Sequence, residues 1–275
     1  MLWQRVLTAL VLFGVLLASL WHSSELPFGL LSLLLVCIAA WEWVRLNGLS
    51  RWPAVAAAAL LGLVLLGFWR LLGTGYDSRW FWPLATVACA LLLPLLLHRG
   101  VAGWRLLATG PRVGLGLLLL GQAWWALLHA KAIGLGMLLS ILLLVWAADI
   151  AAYFGGKRFG RRKLAPSISP GKTWEGVWSG ALAVLLLSVL SITAWPPHWG
   201  PTLYTELWQL GPWLALGLLL LLLALSVMGD LLESMVKRSA GRKDSSRILP
   251  GHGGLLDRFD ALLPVLPLAL WIVTA

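Results

Sequence analysis

Residues 216–229 read LGLLLLLLALSVMG, residues 230–260 read DLLESMVKRSAGRKDSSRILPGHGGLLDRFD, and residues 261–275 read ALLPVLPLALWIVTA. The outer pieces are almost pure hydrocarbon. The middle one carries five carboxylates (Asp230, Glu233, Asp244, Asp257, Asp260), six cations (Lys237, Arg238, Arg242, Lys243, Arg247, Arg258) and the triplet His252-Gly253-Gly254. Ionisable groups at the end of an apolar helix are costly, and in a membrane protein they mark a site rather than add stability. Mixed acids and bases beside glycines suit a divalent metal and phosphate groups.

Outward from this stretch, the rest of the chain is of the same kind. Of its 275 residues 60% are apolar and only 12% charged, against about 25% charged in ordinary soluble domains. Several runs reach the roughly 20 residues a membrane helix needs, and they are continuous rather than alternating, which argues against a membrane β-barrel. The expected fold is an all-α polytopic membrane protein of about nine spans: 4–21, 28–45, 53–70, 81–98, 113–129, 132–154, 174–194, 209–236 and 255–274. The first run follows Arg5, but SLWHSSELPFG after it makes a poor cleavage site, so a retained helix is expected there. Cys37 and Cys89 lie inside apolar runs, with no metal spacing and no disulfide framework. Trp3, Trp21, Trp52, Trp69, Trp80, Trp82, Trp195, Trp199 and Trp208 fall near span ends and read as an aromatic belt.

Nine spans sort the loop charges. Eighteen of the 21 Lys and Arg fall on one side, leaving only Arg70, Arg79 and Lys131 on the other. The positive-inside rule then places the N-terminus in the cytoplasm and the C-terminus outside. The net charge of +10 is thus a charge of the cytoplasmic face, suited to lipid headgroups and a phosphorylated soluble substrate and not to nucleic acid. Eight of the eleven acids lie after residue 145. Residues 1–130 therefore read as a transmembrane scaffold half, and 131–275 as a catalytic half with cytoplasmic basic loops at 155–173 and 237–254.

Four groups could carry chemistry. Asp149 is a lone acid in an apolar helix, with Tyr153 one turn on; a partner on a neighbouring helix and a place in the site are both open. Asp230 and Asp257 each bring a carboxylate to the cytoplasmic boundary from different helices, with Glu233 and Asp260 as further candidates, and magnesium needs only one or two carboxylates beside phosphate and water. Gly251, Gly253 and Gly254 allow backbone N–H groups to approach an anion ahead of the last helix, and His252 could orient a phosphate, donate a proton or cap the loop. In GGKRFGRRKLAPSISPGKTWEG, residues 155–176, Ser167, Ser169 and Thr173 interleave with cations, which suits either a positive-inside anchor or a phosphate-binding surface. Gly171-Lys172-Thr173 matches the end of a Walker A loop, but Pro166 stands where its first glycine should be and no strand is expected ahead of it. Glu175 is expected to cap a helix.

These residues resemble the phosphatidate cytidylyltransferase (CDP-diacylglycerol synthase) family, bacterial type. Ser234, Lys237-Arg238, Lys243-Asp244, His252-Gly253-Gly254 and Asp257-Arg258-Phe259-Asp260 stand at that family's spacing. A second block agrees: Asp149, Ala152-Tyr153, Gly160, Ser169-Pro170, Lys172-Thr173 and Glu175-Gly176. Gln4 to Ala9 and Trp41-Glu42-Trp43 are also similar to bacterial members. Ile150, Ser246 and Ala261 depart from it. The resemblance implies transfer of CMP from CTP to phosphatidic acid, with magnesium and potassium as cations, in a bacterial inner membrane, often by a homodimer. It also implies roles. Asp230 and Asp257 would hold the metal, and Lys237, Arg238, Lys243 and Arg258 would neutralise phosphates. His252, Gly253 and Gly254 would shape the triphosphate pocket; Ser169, Lys172 and Thr173 would touch the lipid phosphate or CTP. Asp149, Tyr153, Glu175, Ser234 and Asp244 would line the substrates. Two alternatives share the residue pattern: a CTP-dependent polyprenol or lipid kinase, and an ion-coupled anion transporter.

Overall fold

The computed structural model describes residues 14–22, 24–75, 79–248 and 253–275. Among these, ten helices follow one another: α1 (14–21), α2 (Leu26–Leu46), α3 (Arg51–Leu72), α4 (Phe81–Leu106), α5 (Thr109–Ile133), α6 (Leu135–Phe159), α7 (Trp174–Ala194), α8 (Leu203–Gln209), α9 (Pro212–Ser239) and α10 (Leu262–Thr274). Seven of them, α2 to α7 and α9, are long and apolar enough to cross a membrane. The chain is therefore a helical, polytopic membrane protein.

Three features differ from the expected spans. The last one, 255–274, divides into a 3-10 turn at Leu256–Arg258 and the 13-residue α10. Pro264 lies in the first turn of α10, where a missing N–H costs nothing, so Asp257 and Asp260 stand ahead of this helix rather than in its first turn. At 13 residues α10 is about 20 Å long. It is buried on nearly every side from Leu262 to Leu270, as a helix apolar all round must be.

The basic segment at 155–173 is not all loop. The expected span ends at 154, yet α6 runs on through Gly155 and Gly156 to Phe159. A Cβ on Gly155 would overlap the Ser179 side chain of α7, and one on Gly176 would come within 2.8 Å of the Ala152 carbonyl. Small residues let two membrane helices approach closely, and here they clamp α6 to α7. Beyond α6 the chain forms an antiparallel hairpin, β1 (Lys163–Ala165) with β2 (Ser169–Thr173). The fragment Gly171-Lys172-Thr173 lies within β2 itself.

The tryptophans also divide. Trp21, Trp52 and Trp80 are exposed at helix ends, whereas Trp82 is fully buried, so its place is in the core and not in the belt. Trp43, Trp104 and Trp124 are equally buried. Trp43 stacks edge-on with Trp104 at 6.0 Å and donates to the Arg112 carbonyl at 2.9 Å, which ties α2, α4 and α5 together at one end. At the same end Arg105 of α4 donates to the Ser239 carbonyl of α9 at 3.1 Å. At the other end Lys131 of α5 caps α1 through the carbonyls of Ser19 and Leu20, at 2.9 and 2.8 Å.

Candidate active site: two cavities on one helix

The C-terminal part of α9 carries the site. Asp230, Ser234, Lys237 and Arg238 recur at helical spacing, so they share one side of it; the Ser234 hydroxyl donates to Asp230 at 3.2 Å. A cavity of about 280 Å³ lies beyond Ser234, lined by Lys237, Arg238, Lys243, Asp244, Asp257 and Arg258. Every one of its lining residues was singled out from the sequence. A second cavity of about 450 Å³ lies on the side of Asp230. Asp149, Tyr153 and Gly156 of α6, Ser169, Lys172 and Thr173 of β2, Val177 of α7, and Leu223 and Val227 of α9 line it. One cavity is ringed by cations, the other half-walled by apolar side chains, and the Asp230–Ser234 hydrogen bond stands between them.

Three of the four candidate metal carboxylates, Asp230, Glu233 and Asp257, have a lysine on them. Lys172 pairs with Asp230. The Lys237 ammonium bridges Glu233 at 2.5 Å and Asp257 at 2.6 Å. The other Asp257 oxygen accepts the Gly254 N–H at 2.9 Å, the Ser245 hydroxyl at 3.0 Å and the Ser245 N–H at 3.2 Å. Burial opposes the charged form of Asp257. Hydrogen bonding to Glu233 and Lys237, the Lys237 charge and the Gly254 N–H outweigh it and hold this carboxyl below the usual carboxylate range. Asp260 is the converse case: burial first, then the Asp230 charge, pushes it up to about 7. Glu233 is buried and lines neither cavity.

Among the described residues no cluster of three or more His, Cys, Asp and Glu side chains gathers as a ready metal cage. The donor set nevertheless fits magnesium, which takes one or two carboxylates and completes its shell with phosphate and water. Asp230 and Asp257 are hard oxygen donors beside the two cavities, and the cationic heads of Lys172 and Lys237 already lie against them.

Other residues read from the sequence have different uses in the fold. Thr173 lines the second cavity but is buried, and its hydroxyl accepts the Gly176 N–H at 3.2 Å as the N-cap of α7. Glu175 lines neither cavity of the site. Its carboxylate accepts the N–H groups of Arg161 at 3.0 Å and Arg162 at 3.1 Å, pinning the start of the hairpin to α7. Gly253 has φ of 85°, a conformation suited to glycine. The Gly254 N–H, expected to face a substrate anion, is given to Asp257. Lys237, expected on a phosphate, also serves the chain's own carboxylates. His252 lies outside the described residues.

Three residues that sequence reasoning did not place in the site are Glu42, Ser245 and Ser246. Glu42 of α2 is fully buried and accepts hydrogen bonds from both serines and from the backbone N–H groups of Leu255 and Leu256. The signal was present: an acid embedded in an apolar run is a site residue by default.

Comparison with known proteins places the whole chain in one family. A cytidylyltransferase family model matches residues 3–275. The phosphatidate cytidylyltransferase of Pseudomonas aeruginosa is 40% identical, covering 98% of this chain and 97% of its own length. That of Haemophilus influenzae is 33% identical over 97% of this chain and 96% of its own; that of Bacillus subtilis is 34% identical over 98% and 97%. With a family model and full-length relatives matching end to end, the chain belongs to the cytidylyltransferase family.

Proposed function

We propose that the protein is a phosphatidate cytidylyltransferase: it joins CTP and phosphatidic acid into CDP-diacylglycerol and pyrophosphate, in phospholipid biosynthesis. The observation that carries this reading is the pair of cavities on α9. A nucleotide triphosphate needs a cation-lined pocket open to water. A lipid phosphate needs cations above an apolar wall. Two such places meet at Asp230 and Ser234.

In the reaction a phosphate oxygen of the lipid attacks the α-phosphorus of CTP. A P–O bond forms as the bond from that phosphorus to the departing pyrophosphate oxygen breaks. Both reactants are anions, so positioning and charge neutralisation supply most of the rate, and no covalent enzyme intermediate is required. Arg238, Lys243 and Arg258 face the triphosphate; Lys172, with Ser169 and Tyr153 beside it, faces the lipid phosphate. Lys237 holds Asp257 in place. Asp230 and Asp257 would hold magnesium, which when bound screens phosphate oxygens as a Lewis acid. A potassium ion beside it belongs to the same reading.

The proposed setting is a bacterial inner membrane, with the basic end of the bundle and its site towards the cytoplasm. Nine spans follow if the helix containing 14–21 and the segment containing α10 both cross, leaving the N-terminus inside and the C-terminus outside. Residues 1–130 then act as scaffold to a catalytic half, 131–275. A homodimer fits with α3, the least buried of the long helices, as the surface open to a second copy or to lipid.

The test is an assay of purified protein in detergent with phosphatidic acid, labelled CTP and magnesium, with and without chelator. The expected result is chelator-sensitive transfer of CMP to the lipid with release of pyrophosphate. Release of CDP with phosphorylated lipid would mean attack at the γ-phosphorus and a kinase. No labelled lipid from folded protein would remove the assignment.

A further inference from the structure

We infer that Glu42 is a positioning residue: it staples the two strands of chain that hold Asp257, and so sets the nucleotide cavity from the far half of the protein. The inference rests on the assignment of that cavity to CTP.

The carboxylate of Glu42 lies fully buried near the C-terminal end of α2. Burying an ionised carboxylate is costly unless hydrogen bonds replace its water, and here they do. One oxygen accepts the Ser246 hydroxyl and the Leu255 N–H, the latter at 3.0 Å. The other accepts the Ser245 hydroxyl at 3.2 Å and the Leu256 N–H at 2.6 Å. Each oxygen thus takes one donor from residues 245–246 and one from residues 255–256. More than 200 residues of sequence separate Glu42 from each of these donors, so they are a tertiary clamp and not a local cap.

The clamp continues to the site. The Ser245 hydroxyl lies 3.2 Å from Glu42 and 3.0 Å from Asp257, so its single proton is offered between two carboxylates. The Ser245 and Gly254 N–H groups both point at the same Asp257 oxygen. The segments Glu42 draws together are therefore the ones that orient Asp257. Gly254 fits this account: a Cβ there would overlap the Ser245 hydroxyl and come within 2.7 Å of Glu42. Glycine at 254 is needed for this closure, not for contact with a substrate anion. Glu42 itself does not line the cavity; it acts through Ser245, Leu255 and Leu256.

Four donors converge on two oxygens, so the group must be acceptor-only. Glutamine has one oxygen, and its NH2 would face a serine hydroxyl and one backbone N–H, of Leu255 or Leu256, that loses its acceptor. The full-length protein in detergent carrying Glu42→Gln is expected to show a KM for CTP raised roughly tenfold or more, the scale of a lost charge-assisted hydrogen bond. Its KM for phosphatidic acid should stay within about twofold. Amide hydrogen exchange should quicken at Leu255 and Leu256 while α2 and α9 keep their protection. Ser246→Ala, which removes one donor at a half-exposed position, should move the same two readouts in the same direction by less, and it decides the matter if Glu42→Gln does not fold. An unchanged KM for CTP in both variants overturns the inference. So does a loss of active protein with both KM values unchanged and exchange quickened throughout, which is a purely structural role. If the wild type itself transfers no CMP, the assignment of the cavity fails, and the exchange of Leu255 and Leu256 alone decides whether the clamp exists.

Discussion

Asp257 is the most constrained side chain of the site. Lys237 holds one of its oxygens, and three donors from Ser245 and Gly254 hold the other. Asp257→Asn keeps the volume but loses the charge, and turns an NH2 towards groups that are all donors. Turnover should fall at least about 100-fold, the scale of removing a preorganised electrostatic contact, with the detergent-solubilised protein still folded but at a lowered thermal midpoint, because Lys237 and the three donors lose their acceptor. Turnover near the wild-type level would take Asp257 out of metal and phosphate binding. Lys237 carries the opposite balance. Lys237→Met leaves Glu233 and Asp257 facing each other in a largely buried place, where breaking an ion pair from one side costs about 3–5 kcal/mol. A denaturant titration should show that loss, and adding Glu233→Gln should recover part of it. If Lys237→Met is as stable as the wild type, the bridge contributes nothing.

These two residues also mark what could be read without a structure. The acids and bases of the cation-lined cavity were legible because their cost in a hydrophobic setting admits few explanations. Their partners were not. Whether Lys237 meets a substrate phosphate or the chain's own Glu233 and Asp257 depends on geometry that spacing does not contain. Glycine was ambiguous in the same way. Gly155 and Gly156 follow an apolar run and precede five cations within eight residues, which reads as a loop; in three dimensions they are the contact that lets α7 lie against α6. The hairpin was invisible because its strands, KLA and SPGKT, are too short and polar for alternation to register. The α6–α7 contact gives its own prediction. Gly155→Ala forces apart two helices that carry Asp149, Tyr153 and the base of β2, an overpacking expected to cost about 1–3 kcal/mol. Ser179→Gly makes room on the opposing helix and should restore most of it. Thermal midpoints of the two single variants and the double variant test this, since residues in contact do not add. Additive effects would mean that the helices do not meet through this pair.

The sharp sidedness of charge along the sequence becomes a division of labour in space. Arg105, Lys172, Lys237, Arg238 and Lys243 belong to helices, the β1–β2 hairpin and turns that gather at one end of the bundle, where α4 meets α9, β2 reaches Asp230 and α2 meets the segment after α9. Lys131, on the sparse side, caps α1 at the other end. Glu42 joins the site from far along the chain, because α2 packs beside the 3-10 turn that carries Asp257. With Ser234 on one cavity and its partner Asp230 on the other, the two substrates should respond to different variants. Lys243→Ala and Arg258→Ala are expected to raise the KM for CTP several-fold and leave that for phosphatidic acid nearly unchanged. Lys172→Ala and Tyr153→Ala should do the reverse, with Lys172→Ala also lowering kcat because it leaves Asp230 without its counter-charge. Salt should act along the same division. Arg238, Lys243 and Arg258 are exposed, so their attraction for a triphosphate is screened over about 10 Å at 0.1 M ionic strength, and the KM for CTP should climb with added salt. Lys172 is half-buried against Asp230 beneath apolar walls, so lipid presented at a fixed surface concentration should feel salt far less. Steady-state kinetics over a salt series in mixed micelles, for the wild type and these four variants, would separate the two patterns. If every variant and every salt concentration moved both KM values together, the two cavities would be one site, and the assignment of one substrate to each would fall.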